Sequence, residues 1–210
     1  MNEKSKPMRV FFKKTGRAKF ISHLDLQRTM QRALKRAGLP VWETEGFNPH
    51  IYITFALPLS LGIESTCESF DIKIIEDIQA DEIREKLNAA LNEDLHIIAV
   101  AEPVYKHTEI IKAEYEIAVE NAEKFAEFMS QNEIIITKKT KKGEAQIDLK
   151  PLIELRGIEG EKVVLILPAG NEFNVNPMQV TSAFSAFVGE ELQARITRTA
   201  VFCVDGEAFI

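Results

Sequence analysis

The sequence is short of most features that would assign it to a special class. Two cysteines, Cys67 and Cys203, stand far apart among 210 residues. That is too few for a disulfide framework, and reduced thiols are expected in a chain without an export signal. Two thiols also cannot hold an iron–sulfur cluster on cysteine alone. No apolar run approaches the roughly 20 residues that span a bilayer, and the opening MNEKSKPMRVFFKK has basic residues without the apolar segment of a secretory leader. A cytoplasmic protein, with no membrane partner, is expected. Neither a G-x-x-x-x-G-K-[ST] loop nor a G-x-G-x-x-G fingerprint occurs, which argues against nucleotide hydrolysis, and no cofactor is expected. Ten glycines and eight prolines are the share of an ordinary globular protein.

What is there is a segregation of charge. The net charge is −6, from 26 basic and 32 acidic side chains. Through Pro40 the chain carries eleven basic residues against two acidic ones, which leaves fifteen basic and thirty acidic residues for everything beyond. A surface built only for solubility gains nothing from separating the signs, so a basic face on an acidic protein points to a polyanionic or acidic partner.

The elements are read from periodicity. Met8 to Lys14 is a strand, left by a turn at Thr15-Gly16. Ser22 with Asp25 forms an S-x-x-D helix start; Leu26, Met30, Ala33, Leu34 and Ala37 follow at helical spacing until Gly38 and Pro40. Arg28, Arg32, Lys35 and Arg36 occupy the opposite face of this basic amphipathic helix. Extended stretches at Ile51 to Leu57 and Cys67 to Ile75, a helix over 81–92 and a strand from Leu95 to Val104 complete a β-α-β-β-α-β order.

The order repeats, with strands at Glu114 to Val119, Ile134 to Lys138 and Ala145 to Leu149, and helices at Ala122 to Met129 and Pro177 to Val188. Further β character lies at Val163 to Leu167, and a last strand at Ala194 to Val204. Leu152 to Arg156 reads as an extra strand or an edge, and Lys138 to Lys142 as a hairpin tip closed by Gly143. The expected fold class is α+β: two tandem ferredoxin-like (βαββαβ) sandwiches with antiparallel sheets, an N-terminal domain over 1–107 and a C-terminal one over 108–210.

Four motifs fall close together: Phe20-x-Ser22-His23-Leu24-Asp25; Arg28 with the stretch from Arg32 to Pro40; Gly46-Phe47-Asn48-Pro49-His50; and Pro58-Leu59 with Leu61-Gly62 and Ser65. On these motifs the chain resembles the radical-SAM-linked protein family, a bacterial domain fused to radical SAM proteins or encoded beside them. The resemblance covers about a third of the chain, from Met8 to Asp71. The family usually has proline after the histidine of GFNPH, where this chain has Ile51, a departure that touches the turn more than the chemistry. The resemblance implies a radical SAM partner and a place in RNA or ribosome maturation, with Gly46, Asn48, Pro49, Gly62 and Ser65 as its loop residues.

Read as residues, the same segment allows several roles. Ser22 and Asp25 are first a helix cap. Arg28, Arg32, Lys35 and Arg36, joined by Lys13, Lys14, Arg17 and Lys19, are either a solvated face or a phosphate-binding one. Phe47 and Trp42 are either stacking platforms for unpaired bases or core residues. His23, His50 and Asp25 are the candidate acid/base group. His23, His50 and Cys67 are the weaker candidates for a metal, since twenty-seven positions between the histidines fit no compact zinc signature.

The leading expectation is a non-catalytic RNA-binding or substrate-presenting accessory protein with a radical SAM partner. One alternative is a metal-independent endoribonuclease using His23 and His50, by analogy with the RNA-processing proteins of CRISPR systems; their glycine-rich C-terminal loop is absent from residues 190–210. The other is a protein-interaction subunit with an acidic partner.

Overall fold

A computed structural model describes residues 5–140, 143–170 and 173–210. It divides into two compact units, Met1–Glu109 with Ala208–Ile210, and Ile110–Glu207. Lys141 and Lys142, in the expected hairpin tip, lie outside the described residues. Among those described, no helix is long and apolar enough to cross a membrane. The class is α+β, with antiparallel strand pairs inside each unit and four α-helices among the described residues.

The first unit contains β1 (Lys6–Lys14), α1 (His23–Arg36), β2 (Thr54–Phe55), β3 (Glu64–Ile74), α2 (Ala80–Ala90) and β4 (Leu95–Ala101). Its strands lie in the order β4-β1-β3-β2, every neighbour antiparallel. Met8, Val10 and Phe12 of β1, with Phe70, Ile72 and Ile74 of β3, are buried at alternate positions, as the pleat of a half-covered sheet requires. Against them pack Leu26, Met30, Ala33 and Leu34 of α1 and Ile83 and Leu87 of α2. Each side chain of this size taken fully out of water contributes about 1.5–3 kcal/mol, so the apolar stripe of α1 fixes which way its basic stripe faces.

The ends of α1 are set locally. The Ser22 hydroxyl accepts the Asp25 N–H at 3.1 Å. At the other end Gly38 takes φ +62°, and the Leu39 N–H returns to the Leu34 carbonyl, a turn that glycine enters without steric cost. The turn after β1 holds a second such glycine. Gly16 takes φ +53°, and a Cβ there would press on the end of the Asp94 side chain, whose Oδ2 accepts the Arg17 N–H.

The second unit contains β5 (Ile110–Ala118), α3 (Phe125–Ser130), β6 (Ile135–Thr140), β7 (Gly143–Asp148), β8 (Glu154–Glu159), β9 (Lys162–Pro168), α4 (Pro177–Val188) and β10 (Arg195–Cys203). Its sheet runs β10-β5-β9-β8. Here the expected assignment of strands is corrected. The stretches around Ile134 to Lys138 and Ala145 to Leu149 are strands, but they pair with each other as a separate two-stranded sheet. The place beside β9 belongs to β8, the segment read as an extra strand or edge. Burial explains the choice: β9 buries Val163, Leu165, Ile166 and Leu167, whereas GEAQID of β7 carries one aliphatic side chain larger than alanine.

Candidate nucleic-acid interface

The loop between α1 and β2 is more ordered than its Gly and Pro content suggests. The Thr44 N–H donates to the His50 carbonyl at 2.8 Å and the Tyr52 N–H to the Trp42 carbonyl at 3.2 Å, so residues 42–44 and 50–52 form two paired arms. Glu45, Gly46, Phe47, Asn48 and Pro49 are the tip. Gly46 has φ +122°, a conformation essentially closed to residues with a Cβ, and it throws Phe47 wholly into solvent. The first arm is anchored by the Trp42 N–H on the Lys73 carbonyl.

Three contacts hold this hairpin against α1. Ile51 is buried in the core of the unit. Gln31 Nε2 donates to the Ile51 carbonyl at 2.9 Å, and Lys35 pairs with Glu43 at 3.2 Å. The result is a groove of about 190 Å³ lined by Arg28, Gln31, Arg32 and Lys35 on the helix side and Pro49, His50 and Ile51 on the hairpin side. The basic stripe and the GFNPH loop, distant in sequence, therefore line one cleft. His50 is oriented within it: Nδ1 lies 3.0 Å from Thr44 Oγ1 and 3.1 Å from the Asn48 carbonyl.

The other site candidates divide. Arg28, Arg32 and Lys35 belong to the groove, whereas Arg36 donates to the Ala90 carbonyl at 2.7 Å and so completes the last turn of α2, which has no basic residue of its own. Lys14 is 1% exposed, with Nζ on the Ile21 carbonyl; it is a structural cation rather than part of an exposed phosphate-binding face. Lys19 is half-buried on Glu64, while Lys13 and Arg17 are exposed. Asp25 pairs with Arg28 at 3.4 Å between exposed side chains, a geometry that contributes little to stability.

His23 stands at the start of α1, with its ring edge-on to Phe55 at 5.1 Å, and it does not line the groove that His50 lines. Cys67 accompanies Ser65 on β3, Sγ to Oγ 3.6 Å. Among the described residues no three His, Cys, Asp or Glu side chains gather as metal ligands. Ser65 is buried and receives the Cys67 N–H, and Gly62, at φ +84°, donates its N–H to the Lys19 carbonyl. Both of these family-motif residues shape the backbone. Trp42 is half-buried and stacks edge-on with Tyr52, Lys73 lying over both rings, so Phe47 is the aromatic left fully open to solvent.

Sequence reasoning missed Gln31, Glu43 and Thr44, which assemble the cleft. Gln31 alone left a trace. It lies three residues after Arg28 and four before Lys35, on the same helical stripe.

The fold and cleft together define an α+β protein with a basic groove closed by an aromatic-tipped hairpin. The chain belongs to the bacterial family described as "Uncharacterized protein conserved in bacteria (DUF2344)", whose profile matches residues 8–177. No curated protein matches it. Among solved structures it is similar to a crystal structure of an unknown protein from Galdieria sulphuraria, at 13% identity over 92% of this chain and 98% of that one, with a TM-score of 0.28. A likeness that low carries no argument about function.

Proposed function

We propose that the protein binds RNA in the groove between α1 and the hairpin, as a non-catalytic accessory module that presents RNA to a radical SAM partner. The observation that carries the reading is the meeting of Arg28, Arg32 and Lys35 with the hairpin arm of His50 in one cleft, beside a Phe47 ring wholly exposed to solvent. Guanidinium and ammonium groups hold phosphates while an open ring stacks on an unpaired base, a combination suited to single-stranded RNA. The radical SAM partner rests on the motif resemblance alone, and the role is a cytoplasmic one. The strand orders β4-β1-β3-β2 and β10-β5-β9-β8 support reading both units as ferredoxin-like sandwiches, the second with a hairpin inserted.

The test is fluorescence binding of total cellular RNA to the wild type, to Arg28→Glu/Arg32→Glu and to Arg36→Glu, each at two salt concentrations. Salt-sensitive binding, lost in the double variant and kept in Arg36→Glu, is expected, since each phosphate contact adds to the salt slope. Absence of binding by the wild type, or equal loss in both variants, overturns the site. RNA length is followed in the same samples: cleavage by the wild type that His50→Ala abolishes would replace an accessory role with a catalytic one.

A further inference from the structure

His50 is held in one orientation, and its hydrogen bonds fix which ring nitrogen carries the proton. Nδ1 lies 3.1 Å from the Asn48 carbonyl and 3.0 Å from Thr44 Oγ1. A backbone carbonyl only accepts, so the contact with Asn48 is a hydrogen bond only when Nδ1 bears the hydrogen. The reverse arrangement, a bare Nδ1 taking a hydrogen from Thr44, would set two lone pairs against each other at 3.1 Å. The threonine oxygen already acts as an acceptor here, for it takes the His50 backbone N–H at 3.2 Å. A neutral imidazole carries one N–H. With that hydrogen on Nδ1, Nε2 is a bare acceptor.

Nδ1 is turned back onto the hairpin's own residues, so the edge that His50 gives to the groove it lines is the one bearing Nε2. The residue is exposed, and among the described residues no protein group bonds Nε2. An acceptor is the wrong group for a phosphate. Phosphate, ester and ring oxygens of a nucleic-acid backbone all accept hydrogen bonds, and the ribose 2′-hydroxyl is the one donor along it. Opposite His50 stands the row that phosphates need: Arg28, Arg32 and Lys35 line the helix side, and Arg32 is exposed with no ion-pair partner among the described residues. At about 190 Å³ the groove is smaller than the roughly 300–1,000 Å³ of pockets that enclose a whole small molecule. That size suits a length of sugar-phosphate backbone rather than an inserted base.

We infer that His50 is the residue by which this groove tells RNA from DNA: its Nε2 accepts a hydrogen bond from a ribose 2′-hydroxyl while the cations of α1 hold the flanking phosphates. This role rests on the groove being the RNA site proposed above, and it adds the reason for choosing ribose. The cations alone would hold either kind of strand, because both carry the same phosphates. Asn48 and Thr44 act through His50, as positioning residues that fix its tautomer.

The experiment titrates the full-length protein at about pH 8, above the ordinary range for imidazole, with two fluorescent pools of random-sequence decamers. One pool is RNA, and the other carries fluorine in place of every 2′-hydroxyl, which keeps an RNA-like sugar pucker and removes the donor. His50→Asn is the paired variant. Its amide NH2 falls where Nδ1 was and still donates to the Asn48 carbonyl, so the hairpin keeps its tie, while nothing reaches the place of Nε2. The wild type is expected to bind RNA about two- to ten-fold more tightly than the fluorinated pool, the worth of one neutral hydrogen bond. In His50→Asn the ratio falls to near one, with affinity for the fluorinated pool unchanged. Nitrogen-15 spectra of the free protein, with the His50 signals assigned by their loss in the variant, are expected to show the hydrogen on Nδ1. Equal binding of the two pools by the wild type overturns the ribose contact and leaves the phosphate groove standing; so does an undiminished ratio in His50→Asn, or a hydrogen found on Nε2. Binding of neither pool removes the groove as a nucleic-acid site, and this role with it.

Discussion

The two units use the same strand order but fill the same topological gap differently. In each, the connection between the first helix and the second strand of the sheet is long. In the first unit it is the hairpin of residues 42–52, held against α1 by polar contacts from Gln31 and Lys35. In the second it is β6 and β7, which pair apart from the main sheet and leave a groove between β6 and α4. The helices explain the contrast. The exposed stripe of α1 is Arg28, Arg32, Lys35, whereas α4, PMQVTSAFSAFV, has no charged residue at all. The two clefts therefore differ in the chemistry of their walls, cationic on α1 and uncharged on α4.

Beneath these surfaces the cores are alike, and this is the likeness easiest to break. Phe12, Phe55 and Phe70 cluster in the first unit with centroids 5.5–6.2 Å apart; Phe125, Phe128 and Phe184 cluster in the second at 5.0–5.5 Å. Phe70→Ala and Phe184→Ala are each expected to lose about 3–5 kcal/mol in urea unfolding followed by circular dichroism, the usual sum of lost transfer energy and a cavity. A loss below about 1 kcal/mol in either would mean that its ring is not packed as its burial implies.

Polar anchoring offers a second comparison, between a buried arginine of the first unit and a half-buried hydroxyl of the second. Arg9, 1% exposed, makes two bonds to Asp71 at 2.8 and 3.0 Å, donates to the Ile210 carbonyl at 3.0 Å and lies over the Phe209 ring. Asp71→Asn leaves that guanidinium buried against a neutral amide, with an expected loss of about 2 kcal/mol, moderated because Asp71 itself reaches solvent. In the second unit, Thr199 donates to Glu114 Oε1 at 2.8 Å; Thr199→Val is expected to lose only about 1 kcal/mol. Thermal melts of the two variants check the order, and a larger loss for Thr199→Val reverses it.

Much of this was legible in the residues, and what was not has a common cause. The bounds of α4 and the capped, basic helix α1 follow from local periodicity and end signals, which depend on neighbours a few residues apart. Ile51 to Leu57 reads as one strand, yet only Thr54–Phe55 joins the sheet, because residues 50–52 pair back onto 42–44. The basic cluster of Lys13 to Lys19 looked continuous with the helix face. Lys14 is withdrawn into the interior, and Lys19 is engaged by Glu64, 45 residues away. Arg36 is removed from the groove by Ala90, 54 residues away. Such long-range partners leave no period in the sequence, so periodicity placed Arg28, Arg32 and Lys35 on one helix face but could not say which other cations stay clear of the interior.

The smallest expected effect on stability is also the sharpest test of the difference between the units. Phe47 at the hairpin tip and Phe173 ahead of α4 are both exposed, and replacing either by alanine removes little buried area, so neither melting temperature should move measurably. Their consequences for RNA should part. A ring that stacks on a base contributes roughly 1–3 kcal/mol to single-strand binding, so Phe47→Ala should weaken RNA affinity on the order of ten-fold while Phe173→Ala leaves it unchanged. Equal affinity for both variants would confine recognition to the cations of α1 and make the hairpin tip a bystander. Equal weakening of both would extend the nucleic-acid surface to the second unit, and the functional contrast between the two units would fall.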